Sequence, residues 1–270
     1  MVLCFSLGLE NSVILRNNRN HLTSLSSWLK PVAKSVNSLW KRCWRASVDG
    51  WGASTFHSRC DGKGPTVTIV RVGRYIFGGY TSLSWGNKQN SLSIIHDSKQ
   101  AKTGEVEGNN KMFANLVFIN PGRYTVEALL ATTLESDWLC IGTMSLMTLL
   151  FHPYFLVGSG SGYRYDSNAF LFSLVNKPGW VPVKLPQTGK DSSNRRYSIY
   201  DNRSYGPTFG GGHDIHINNY ASSNRNSYSN LGYTYSPPSG YSYGSNFAQS
   251  FMAGSYSFTP DEVETFYETT

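Results

Sequence analysis

Charge is what this 270-residue sequence has least of: Asp, Glu, Lys and Arg together make 15% of it, against roughly 25% in an average domain. That scarcity argues against a charge-rich coiled coil and against an acidic disordered tail. Solubility has to come from Ser, Asn, Gly and the hydroxyls of 17 tyrosines. Cysteine is also sparse. Cys4, Cys43, Cys60 and Cys140 are too few and too scattered for a disulfide scaffold, and no CxxC pair suggests zinc. Two readings of Cys43 and Cys60 stay open, a pair of packed thiols or a bridge formed across a hairpin in an oxidising compartment. Residues 1–10 hold a short apolar run without the basic flank of a signal peptide, so residues 1–11 read as a leader outside the fold. Asn202-Arg203-Ser204 is a lone glycosylation sequon, relevant only if a signal sequence lies upstream. The familiar catalytic fingerprints are missing as well: there is no HExxH, no GxSxG and no nucleotide-binding glycine motif.

What is present is aromatic and β-prone. Aromatics reach 14% and the net charge is +7. Leu22, Leu25, Trp28 and Leu29 recur at helical spacing and Pro31 stops the run, which predicts a short amphipathic helix. From Leu39 onward, Trp40, Trp44, Trp51 and Phe56 lead into Thr66-Val67-Thr68-Ile69-Val70, and the stretch reads as strands. Tyr75 to Thr81 reads as the returning arm of a hairpin. Further short strands are expected at 169–174, 181–185, 197–200, 215–217 and 262–267. Residues 220–256 are rich in Ser, Asn, Tyr and Gly, and read as ordered loops docked by Leu231, Phe247, Phe251, Met252 and Phe258.

The ordered succession of motifs resembles a TLDc domain. Its first half is seen in Trp44-Arg45-Ala46-Ser47-Val48-Asp49-Gly50-Trp51, Phe56-His57, Cys60-Asp61 and Ile76-Phe77-Gly78-Gly79-Tyr80. Its second half is seen in Ala169-Phe170-Leu171-Phe172-Ser173-Leu174, Thr208-Phe209-Gly210-Gly211-Gly212-His213-Asp214 and Val263-Glu264-Thr265-Phe266-Tyr267. The resemblance covers roughly 38–86 and 163–270 and implies an α+β fold, a β-sandwich of two mainly antiparallel sheets with flanking short helices. Trp44, Asp49, Gly50, Trp51, Phe77, Gly78, Gly79, Phe170, Phe172, Phe209, Gly210, Gly211, Gly212 and Glu264 would be its structural residues. It also implies a cytoplasmic, non-catalytic protein-interaction module tied to oxidative-stress protection or to the vacuolar proton-pumping ATPase. No cofactor and no nucleic-acid partner is expected.

Residues 12–270 thus read as one domain interrupted by an insertion at 87–162. Its part 138–157 is long enough to cross a bilayer. A single crossing would put strands of one core on opposite sides of the membrane, where they cannot pair. Three accounts of the insertion stand: translated non-coding sequence, which leads, a packed or surface helix, and a membrane segment.

Candidate chemistry is limited to a few clusters. His57, Cys60 and Asp61 could form a nucleophilic trio, with the Cys/His pair on adjacent strands. Cys43 and Cys60 offer a redox-active alternative, and a secreted recognition module is a third reading. His213, Asp214 and His216 resemble a metal or acid–base cluster, but read as one strand the two histidines point to opposite faces, so no metal is expected. The glycines at 210–212 lack the Lys-Ser/Thr pair of a P-loop and read as a tight turn. Arg42, Arg45, Arg59, Arg71 and Arg74 read as solvated ends of strands rather than a base-stacking surface, and the acids near 261–264 could face them.

Overall fold

The computed structural model describes residues 8–16, 18–35, 37–86, 162–188 and 193–269, together with the backbone of 111–120 and 123–131. The chain divides into two compact units, Met1–Gln89 with Val157–Thr270, and Asn90–Leu156. The helical expectation is met by α1 (Arg19–Leu29). The side chain of Asn18 accepts from the backbone N–H groups of Asn20 and His21, satisfying donors the first turn leaves free. Leu22, Leu25 and Leu29 face inward, and Pro31 follows in a 3-10 turn over Lys30–Val32.

The larger unit holds two six-stranded sheets in which all named strand pairs are antiparallel. The first contains β1 (Leu39–Arg45), β2 (Thr66–Val72), β3 (Tyr75–Thr81), β7 (Phe170–Val175), β8 (Val183–Pro186) and β14 (Glu262–Thr269), in the order β1-β14-β2-β3-β7-β8. The last strand of the chain therefore lies between two of the first three. The second sheet is built from much shorter pieces: β6 (Gly162–Arg164), β9 (Ile199–Asp201), β10 (Thr208–Phe209), β11 (Ile215–His216), β12 (Ser227–Tyr228) and β13 (Ser257–Phe258), in the order β13-β12-β11-β10-β9-β6. In the smaller unit β4 (Lys111–Asn120) and β5 (Arg123–Ala131) form an antiparallel hairpin that the sequence reading does not anticipate. The apolar stretch 138–157 lies outside the described residues. Among the described residues no helix is long and apolar enough to cross a membrane.

Two apolar layers cover the first sheet on opposite faces, and strand alternation sorts the residues between them. Val67, Ile69, Tyr80, Phe170, Phe172 and Phe266 pack with Leu22, Leu25 and Leu29 of α1. Val70, Phe77, Leu171 and Val263 pack with Phe209, Ile215 and Phe258 of the second sheet. Burial on both faces explains why β2 opens with five consecutive buried residues instead of alternating. Close layers also require small residues. A Cβ on Gly78 would overlap the Thr68 carbonyl, and one on Gly79 would press on Leu171 and Phe209.

The strand reading of 39–60 needs correction after Arg45. Residues Ala46–Asp49 form α2 and Ala53–Cys60 form α3. Ala53, Phe56, His57 and Cys60 are the buried positions of α3, the i, i+3, i+4, i+7 pattern of one helical face. Packing of that face on the core overrides the β-propensity of Phe and Thr. The fold also extends past the expected leader boundary: Leu9 is fully buried beside α1. Gly162, assigned to the insertion by sequence, pairs with Asp201 in β6.

The acids of β14 meet the bases of β1. Arg42 pairs with Glu264 at 3.0 Å and Arg45 with Glu262 at 2.9 Å. Glu264 is completely buried and also accepts from Ser12 and the Ile14 N–H, so this carboxylate ties the N-terminal segment to the sheet. Trp44 donates its indole N–H to the Gly50 carbonyl at 3.1 Å, and Gly50 adopts a positive φ of 111°. Asp49 accepts from the Arg45 N–H and pairs with Arg59, and the Trp51 carbonyl accepts from the Tyr220 N–H.

Candidate functional site

The three residues proposed as a nucleophilic trio all sit on or next to α3, so Cys60 and His57 share one helix and do not lie on adjacent strands. Cys60 is bonded to Cys43 in a disulfide that joins α3 to β1. The bridge runs from helix to strand and does not cross a hairpin, and it closes the choice left open by sequence. His57 has no free nitrogen. Its Nδ1 lies 2.7 Å from Asp61 Oδ1, and its Nε2 lies 3.0 and 3.1 Å from the carbonyls of Asn202 and Tyr205. A carboxylate on one side and two carbonyls on the other require a proton on both nitrogens. Burial opposes that charge, but the hydrogen bond and charge of Asp61, the Asn202 carbonyl and the charge of Asp201 outweigh it, and the pKa is raised.

Around this imidazole Gly86 and Arg164, on either side of residues 87–161, meet at Asp201. Asp201 Oδ2 accepts from the Gly86 N–H at 2.9 Å and from Arg164 Nη1 at 3.1 Å. The same guanidinium nitrogen donates to the Ser84 carbonyl at 2.6 Å. Gly86 has φ 67°, and a Cβ there would run into the Asp61 carboxyl group, so only glycine fits between Asp61 and Asp201. Burial raises the Asp201 pKa, while Arg164, His57 and the Gly86 N–H pull it down and Asp61 pushes it up. Trp85, beside Gly86, is buried against Phe56 and Phe209 and donates to Thr66 Oγ1 at 2.9 Å. The cluster works as a clasp. It holds α3, the turn after β9 and the residues that flank the insertion, its Cys60 sulfur is bonded to Cys43, and both His57 nitrogens are engaged.

A second cluster lies on the face of the second sheet. His213 and His216 stack with centroids 5.3 Å apart and planes 27° apart, which corrects the expectation of opposite faces. The strand is only Ile215–His216. His213 belongs to the preceding turn, where φ of 57° swings its ring to the His216 side. Gly210 and Gly212 take positive φ in the same turn. Tyr163, Tyr200, Tyr205 and Tyr228 close around the two rings at centroid distances of 4.5–6.1 Å. Each imidazole already uses its Nδ1, His213 with the Tyr228 hydroxyl at 2.8 Å and His216 with Thr208 Oγ1 at 3.1 Å. Burial lowers both pKa values, with His216 reaching about 4 as the neighbouring His213 adds to the effect. Burial and the surrounding phenols push Tyr228 up to about 12. The face is therefore uncharged near neutral pH. Among the described residues no group of three or more His, Cys, Asp and Glu is placed to hold a metal ion.

Beneath that face, Asp214 is completely buried and gathers four backbone N–H groups, from Gly232 at 2.8 Å, Thr234 at 3.1 Å, Tyr233 at 3.2 Å and Tyr235 at 3.3 Å. Burial raises its pKa to about 7 against the pull of those four donors. The sequence reading placed Asp214 in a cluster with the two histidines, whereas its partners are the backbone N–H groups of 232–235.

Residues 9–120 match the family model of the TLDc domain. The match covers the first part of the domain, and the fold gives the reason the second half of the chain is needed. Without β14 the matched residues lack the strand that sits between β1 and β2. The TLDc match ends at residue 120, between Gly86 and Arg164, the two residues that Asp201 holds. A search of curated proteins finds no match to the chain.

Proposed function

We propose that this chain is a TLDc-type, non-catalytic protein-interaction domain, acting in oxidative-stress protection or by binding the vacuolar proton-pumping ATPase. The observation that carries the reading is the full engagement of the trio. The Cys60 sulfur is bonded to Cys43, and both His57 nitrogens are held as donors. A general base needs an accessible lone pair, and a nucleophile needs a free thiolate. The family resemblance supplies the pump and the stress role, and it does so by analogy. The test is a binding measurement between the purified chain and purified pump subcomplexes, combined with turnover assays on ester, peptide and peroxide substrates. Saturable association without turnover is expected. A saturable turnover abolished by His57→Ala in a folded protein would overturn the reading.

The disulfide favours a second reading, in which Cys43 and Cys60 cycle between bridged and reduced forms. Their sulfurs are buried, with relative exposures of 7% and 0% for the two residues, which slows attack by an external thiolate. Thiol labelling under mild glutathione should report release of both cysteines within minutes on this reading, and continued silence removes it.

A further inference from the structure

The four arginines of the clasp and the sheet edge are all paired: Arg42 with Glu264, Arg45 with Glu262, Arg59 with Asp49 and Arg164 with Asp201. Arg16 and Arg71 differ, since neither side chain has a hydrogen bond or an ion pair among the described residues. Both border a hollow of about 400 Å³, lined with Ile14, Gly73, Ile76 and Asp261. Three separate segments meet there: the turn before α1, the β2–β3 turn and the entry to β14. Ile14 and Ile76 are buried side chains of its wall. Asp261 also lines it, and its carboxylate accepts from the Gly73 N–H.

Arg16 sits in a left-handed backbone conformation, φ 46°. An arginine costs about 1 kcal/mol or more there, where glycine would cost nothing. A strained position that nonetheless carries a long cationic side chain, beside a hollow and unpaired, calls for a ligand. The lining narrows its chemistry. Two guanidiniums select carboxylate or phosphate, the isoleucines take an apolar group, and the Asp261 carboxylate accepts an N–H. A free phosphate or a lone phosphate headgroup would pair with the guanidiniums but leave the Ile14 and Ile76 wall unused. An acidic peptide uses all three.

We propose that this hollow binds an acidic segment of a partner protein, with Arg16 and Arg71 each pairing with a carboxylate and an apolar side chain resting on Ile14 and Ile76. The proposal rests on the interaction-domain reading and gives it a surface and a partner chemistry. A fluorescent octapeptide of alternating glutamate and leucine, titrated with the full chain and followed by anisotropy, tests it. Saturable binding is expected, weakened about tenfold by Arg16→Gly and by Arg71→Ala, as loss of one charge-assisted pair predicts. Arg16→Gly suits the left-handed backbone, so its thermal midpoint should stay level or rise while binding falls. That split would not accompany a structural role. Absence of saturable binding, an affinity in either variant unchanged from that of the parent chain, or displacement by inorganic phosphate or phosphatidylserine vesicles would overturn the proposal. If purified pump subcomplexes bind Arg16→Gly as well as the parent chain, this site falls while the interaction domain stands.

Discussion

The two sheets of this domain are held together by different means. The first is made of strands of four to eight residues whose backbone groups pair with one another over long registers, such as the seven pairs between β2 and β3. The second has strands of two or three residues, and much of its order comes from buried side chains that satisfy loop backbone. Asp214 serves four amides of 232–235. Asp201 serves Gly86 and Arg164, and Tyr235 donates its hydroxyl to the Ser198 carbonyl at 2.6 Å. A ladder spreads its stability over many equivalent bonds, whereas an anchor concentrates it in one residue. Loss of an anchor should therefore be severe and local.

The largest expected effect is at Asp214. Asp214→Ala strands four buried N–H groups and should cost about 4 kcal/mol in a denaturant titration. A polar residue of the ladder such as Thr68, which shares one hydroxyl contact with Thr265 at 3.0 Å, should cost about 1 kcal/mol when changed to Val. Equal losses would erase the distinction between anchor and ladder.

Next in size is a dependence on acid. His216 is neutral in the fold, with a pKa near 4, and would protonate near 6.5 in the unfolded chain. Its contribution is complete above pH 6.5 and is lost as pH falls towards 4, on the order of 3 kcal/mol across that window. Thermal midpoints of the parent and His216→Gln, measured from pH 7 to pH 4, should converge as the pH falls.

The smallest effect has the opposite sign and lies at the clasp. The His57 pKa is raised in the fold, so its contribution is present below pH 6.5 and is lost as pH rises through the raised value. The midpoint difference between the parent and His57→Gln should shrink on going from pH 6 to pH 9. The same direction of pH dependence at His57 and His216 would mean that one of the two environments is misassigned.

The contrast between ladder and anchor also decides what could be read from the sequence. The hairpin at 66–81, the strand at 169–174 and the closing strand at 262–267 are runs of apolar and β-branched residues, and such runs announce themselves. The helix Ala53–Cys60 was legible in principle, since Ala53, Phe56, His57 and Cys60 keep helical spacing, but the aromatic content of the region hid it. The opposition assigned to His213 and His216 failed for a different reason. Strand alternation holds only while the chain is a strand, and one left-handed residue cancels it. Anchors such as Asp214 and Asp201 carry no local signal. Their partners lie 18 to 21 residues away for Asp214, and 37 and 115 residues away for Asp201. His57, Cys60 and Asp61 are near one another in sequence, and besides the His57–Asp61 contact their bonding comes from Cys43, Asn202 and Tyr205.

Native-state hydrogen exchange on Asp214→Ala, beside the parent chain, tests the division most directly. The amides of 232–235 and those of β10, β11 and β12 should exchange much faster, while the amides of β2, β3 and β14 keep their protection. A uniform loss across both sheets, or unchanged protection at 232–235, would contradict it.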